Sequence, residues 1–138
     1  MAAFNEFEDF VHSLGLGEHN LHTDTLKVYL SNATPSASAD VDKTDLAEIT
    51  NENGYTAPED ITNTYTEANG TGTLAAVDVV ITASGGTVGP FQYAVIYNDT
   101  HTSDALVGWY DYGSEVTLQD GESFTVDFGA SLLTIAFS

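Results

Sequence analysis

Two short stretches hold the residue types that could do chemistry. In GEHNLHTDT, His19 and His22 stand three apart beside Glu18 and Asp24. Two imidazoles at that spacing with carboxylates nearby could hold Zn or another divalent cation. No helical H-E-x-x-H is present and no third histidine follows at a telling distance, so structural or surface histidines are expected and no cofactor; a divalent ion on His22 and Asp24 stays open. His12, further upstream, reads as a surface residue. In NDTHTSD, His101 lies between Asp99 and Asp104, with Ser103 adjacent. A catalytic reading makes His101 a base, a carboxylate its orienter and Ser103 the nucleophile. The stretch lacks the G-x-S-x-G elbow that exposes such a serine, and Asn, Asp, Thr and Ser are also what a hairpin loop requires. The expectation is therefore a loop and no enzyme. Asp40, Asp42 and Asp45 crowd together without EF-hand spacing, and Asp42 and Asp45 suit the start of a helical turn.

A third group is aromatic. Trp109, Tyr110 and Tyr112, with Tyr93 and Tyr97, could form a platform for a sugar or other ligand; as strand residues they equally suit a core or a subunit interface. Sequons at Asn32, Asn69 and Asn98 matter only in a eukaryotic secreted protein, and the acidic N-terminal segment does not read as a secretion signal.

Composition narrows the partners. The 138 residues carry 21 Asp and Glu against two Lys and no Arg, a formal charge of −19. No cationic surface exists to hold a phosphate backbone or an anionic membrane, so neither nucleic acid nor membrane is expected as a partner. A nucleotide enzyme is disfavoured for the same reason. Without cysteine there is no thiolate site or disulfide, and no apolar run reaches the ~18 residues of a membrane span. With 42% hydrophobic and 11% aromatic residues the chain can still bury a core, and its length suits one domain.

The elements that must position these residues divide the chain in three. In 1–17, Phe4, Phe7, Phe10, Val11 and Leu14 recur at helical spacing, which predicts a short amphipathic helix stopped by Gly15 or Gly17. It either packs on its own domain or docks on a neighbour. Residues 18–72 begin with TLKVYLSN, whose alternation predicts a half-buried strand with Leu26, Val28 and Leu30 inward. The stretch then loosens into a Thr/Asn/Asp/Ala-rich connection. It holds a helical turn at 43–50, with Leu46 and Ile49 inward, and an edge strand near 61–68. Residues 73–138 carry short β-rich runs at 73–82, 91–97, 105–112, 123–128 and 132–137, punctuated by turn clusters. The expected fold is mainly β, an antiparallel, jelly-roll-like β-sandwich with one N-terminal helix. Val79, Ile81, Val95, Phe124, Val126 and Ile135 are expected in its core.

The segments "TLKVYLSN", "NENGYTAP", "DVVITASGGTVGPFQYAVIYNDT", "LVGWYDYGSEVTLQDGESFTVDF" and "LLTIAF" occur in an order that resembles a family of small virion proteins of tailed bacteriophages. The likeness spans roughly residues 22–137, lies in hydrophobic and turn positions, and includes no active-site signature. It implies a capsid decoration or cement protein on the outer capsid surface of the virion. The implied partners are the major capsid protein and further copies of the chain, as a trimer first and a dimer second. A neck, tail or fibre component, or a carbohydrate- or ligand-binding module, are the other readings. Three Phe on so short a helix, and Trp109 and Tyr110 on opposite faces of one strand, make Phe4, Phe7, Phe10, Trp109 and Tyr110 the candidate contact residues.

Overall fold

The computed structural model describes residues 2–136. The chain runs β1 (Phe4–Glu6), α1 (Glu8–Gly15), β2 (Leu26–Ser31), a 3-10 turn (Lys43–Asp45), β3 (Glu59–Asp60), β4 (Thr64–Ala68), β5 (Thr71–Ala75), β6 (Val79–Thr82), β7 (Val88–Asn98), β8 (Leu106–Leu118), β9 (Ser123–Val126) and β10 (Leu133–Ala136). All strand pairs are antiparallel, and the architecture is mainly β and β-sandwich-like. A five-stranded sheet has the order β1-β8-β7-β2-β3; β10-β5-β4 and β6-β9 form two smaller sheets.

The middle of the large sheet follows from its side chains. In β7, Tyr93 to Asn98 are all buried, so both faces are covered. β2 departs from the expected half-burial, because Tyr29 and Ser31 are as buried as Leu26 and Leu30. The cause is the supposedly loose middle of the chain, which packs over the second face. Tyr29 Oη donates to the Leu46 carbonyl (2.9 Å) and Ser31 Oγ to that of Ala47 (2.7 Å). Tyr55 Oη, buried, accepts from the Leu30 N–H at 2.8 Å and donates to Glu48 Oε2 at 2.9 Å. Lys43 pairs with Glu48 (3.4 Å) and lies 4.8 Å from the centre of the Tyr29 ring. Leu46 and Ile61 complete the cover. The helical turn shrinks to Lys43–Asp45, and the edge strand is β4.

The N-terminus corrects the expected helix. Phe4 belongs to β1, directly opposite Tyr110, with Asn5 opposite Trp109 and Glu6 opposite Gly108. A Cβ on Gly108 would strike the Phe4 ring and the Asn5 carbonyl, so the missing side chain is what admits this strand. The helix starts only at Glu8, after an extended Phe7.

The run 73–82 is two strands, because Val77 N–H leaves the ladder for the Ile61 carbonyl (2.9 Å) and Asp78 accepts from the Phe128 N–H (2.9 Å). Asn69 and Gly70 turn β4 into β5 with φ of 54° and 83°, the left-handed pair that an Asn-Gly hairpin turn uses. Val79, Ile81, Val95 and Val126 are buried as expected. Phe124 is half-buried between Phe91 and Tyr112. Ile135 is a correction: it is 40% exposed, since its partner across the ladder is Gly72, which offers no side chain to pack on. The closing strand is β10; Phe137 lies outside the described residues.

Candidate functional site

The two histidine-bearing stretches, some 80 residues apart in sequence, form one cluster. β7 ends at Asn98, and the 98–104 loop after it lies against the 18–24 loop that follows α1. Asn98 is fully buried and its side chain makes four hydrogen bonds. Its Oδ1 accepts from the backbone N–H of Thr100 (3.0 Å) and His101 (3.3 Å); its Nδ2 donates to His19 Nδ1 (2.9 Å) and Asp24 Oδ2 (2.8 Å). His101 Nε2 meets Glu18 Oε1 at 3.1 Å, and its Nδ1 accepts from the Ser103 N–H at 3.1 Å. The His19 and His101 rings are 5.6 Å apart, and Phe10 from α1 stacks on His19 at 5.1 Å.

This geometry decides the chemistry of the cluster. Both nitrogens of His101 are engaged, one by Glu18 and one by a backbone N–H, so neither faces a nucleophile. Ser103 contributes its backbone and not its hydroxyl to the contact. Asp99 pairs with Lys27 at 3.2 Å, and Asp24 is held by Asn98 and by the Asn20 N–H (2.9 Å). His22 is exposed and its N–H donates to Asn20 Oδ1. Among the described residues no three His, Asp or Glu are grouped to hold a metal ion. His19 is 6% exposed, and its pKa lies below the ordinary 6.5 because burial and then the nearby His101 penalise the cation. What the cluster does is join two loops, with a titratable group at the joint.

The other candidates are also set in the scaffold. Asp45 Oδ2 accepts from the N–H groups of Val41 (2.9 Å) and Asp42 (3.1 Å), which hold its carboxyl below the usual range. Asp40 accepts from Ser36 N–H (2.7 Å). The acids at 40–45 are thus turn formers.

The aromatic platform is dispersed. Tyr93, Tyr97 and Tyr110 are buried, and the Trp109 ring lies 4.6 Å from Phe7. Tyr112 and Phe124 do border an open cleft of about 640 Å³, with Asp111 and Asp127 on its rim. Of the sequon asparagines, Asn98 is buried and therefore closed to a glycan, whereas Asn32 and Asn69 are exposed.

No family model, curated protein or solved structure matches this chain.

The candidate contact residues are also repositioned. Phe7, Phe10 and Tyr110 are 0%, 3% and 2% exposed within the single chain, and Phe4 and Trp109 are half-buried. As folded, the first three offer no surface to a neighbour. Trp109 and Tyr110 do point to opposite faces, but Phe7 covers one, and Phe4 (5.2 Å) and Phe128 (6.0 Å) cover the other. Among the described residues, the large apolar side chains that face outward are others: Val11 and Leu16 around α1, Val41 before the 3-10 turn, Val77 and Val80 near β6, and Ile135. Helical spacing marks Val11 only as part of the Phe stripe; in the helix that forms, Phe10 and Ser13 turn inward and Val11 faces outward. Asn98, the hub of the cluster, carries no signal of its own, since its partners lie 74 and 79 residues away.

Proposed function

We propose that this chain is a non-enzymatic structural protein of a tailed-phage virion, decorating or cementing the outer face of the capsid shell. It would contact the major capsid protein and other copies of itself, as a trimer first and a dimer second. One observation carries the reading beyond the resemblance itself. Three of the segments that resemble virion proteins, TLKVYLSN, FQYAVIYNDT and LVGWYDYGSEVTL, supply the adjacent strands β2, β7 and β8 at the centre of the large sheet. The likeness therefore lies in the residues that build the body, as befits a protein whose function is its shape and surface.

The electrostatics agree. Lys27 and Lys43 are both tied to carboxylates of their own chain, so neither lysine offsets the net charge of −19 with a free cationic site. Such a charge repels packaged nucleic acid, and contacts with a shell must be apolar or hydrogen-bonded. With Phe7, Phe10 and Tyr110 committed to the core, outward residues such as Val11 and Leu16 around α1 and Val77 and Val80 near β6 are available for such contacts. Quantitative mass spectrometry of purified virions tests the reading. A decoration protein is expected at a copy number approaching that of the capsid protein. A small fraction of that number would place the chain in the neck or tail instead.

A further inference from the structure

We propose that His19 is an acid-sensitive latch: it joins the 18–24 and 98–104 loops only as the neutral imidazole, and its protonation frees Asn98 and opens the junction between them. The argument rests on the direction of four hydrogen bonds. Asn98 Oδ1 is occupied by the N–H groups of Thr100 and His101, so the other arm of the amide, Nδ2, must face His19 and Asp24. An amide nitrogen donates only. His19 Nδ1 is therefore an acceptor and its proton resides on Nε2.

Adding the second proton places N–H against N–H at 2.9 Å. Turning the amide over does not rescue the joint. It would set an NH2 group against two backbone N–H groups and an oxygen against the Asp24 carboxylate. One proton on His19 thus breaks its own bond to Asn98 or, if the amide turns over, the other three bonds of that fully buried side chain, and leaving such groups unpaired is costly.

The surroundings of the ring pull both ways. Asp9 from α1, and Glu18 and Asp24 from its own loop, favour the cation; His101, from the loop after β7, opposes it. Burial and His101 dominate, so the folded protein resists protonation below the ordinary pKa of 6.5. The unfolded chain does not. Below pH 6.5 the unfolded state takes up a proton that the folded state refuses, so the stability His19 contributes is complete above that pH and is lost as the pH falls. This window lies above the range in which ordinary carboxylates titrate, so the 21 acids do not mask it.

Two measurements on the full chain test the latch. Histidine NMR of the wild type should show His19 titrating below pH 6.5, with the neutral ring protonated on Nε2. Thermal melting of the wild type should fall between pH 8 and pH 5.5, by at most about 5 °C, since only one pH unit separates 5.5 from the unfolded pKa of 6.5. The His19→Gln variant should lose that fall. A His19 midpoint at or above 6.5, a neutral ring protonated on Nδ1, or a difference between wild type and variant that does not change with pH would each overturn the proposal. If the variant does not fold, the wild-type titration and tautomer decide alone.

Discussion

At the scale of single residues, the structure depends on polar groups that reach far along the chain. Tyr55 Oη satisfies the buried Leu30 N–H in the middle of β2 and also holds Glu48, the carboxylate that pairs with Lys43. Tyr55→Phe keeps the ring and removes both bonds. It is expected to cost about 1–3 kcal/mol, because a buried donor loses its only acceptor of that kind. Urea denaturation measures this directly, and a loss under 0.5 kcal/mol would show that water replaces the hydroxyl. Burial pushes the Tyr55 phenol well above its ordinary pKa of 10, so this contribution persists through neutral pH and declines only in strong alkali. Neither Tyr55 nor Asn98 could be singled out from the sequence. A tyrosine in NENGYTAP and an asparagine at a strand end look like ordinary turn residues, and their roles arise from strands 25 and more residues away. The histidines were visible as residues able to do chemistry, but their pairing across two loops was not.

At the scale of elements, periodicity was legible where one pattern had one meaning. The β-rich runs at 91–97 and 105–112 announced the strands β7 and β8. The N-terminus was ambiguous. Phe4, Phe7 and Phe10 fit a helical stripe, yet Phe4 lies in a strand because Gly108, over a hundred residues later, leaves room for its ring beside Tyr110. The residues between 32 and 70 read as loose for lack of periodicity. They are held by single anchors, Leu46, Tyr55 and Ile61, and an anchor has no period. A sharp contrast follows for the first 16 residues. Phe7→Ala and Phe10→Ala should each cost ~3–5 kcal/mol as buried aromatic truncations, whereas Val11→Ala, at a 64% exposed position, should stay within about 0.5 kcal/mol. Denaturation midpoints of the three variants test this. Equal, small effects would mean that β1 and α1 are a detachable arm, and Phe7 and Phe10 would return as contact residues.

At the scale of the whole molecule, the charge of −19 has a structural origin as well as a cost. Ten of the acids accept hydrogen bonds from backbone N–H groups in turns, loops and strand ends, from Asp24 and Asp40 to Glu122 and Asp127. Much of the acidity is thus turn chemistry, a role that Asn or Ser could share without the charge. The remainder leaves a surface that repels itself, and both lysines are already spent. Screening should therefore stabilise the fold, with the melting temperature rising from low to high NaCl; a flat or falling profile would contradict this. The same surface makes the account of the protein specific about place. A density map of the virion at a resolution that separates β-sheets is the most direct test. The β-sandwich-like body should appear on the outside of the capsid shell, in symmetric clusters, with Phe7 and Phe10 inside each copy and outward apolar residues such as Val11 or Val80 at the contacts. Its absence from the shell, or its appearance only at the neck or tail, would contradict the assignment to the capsid surface.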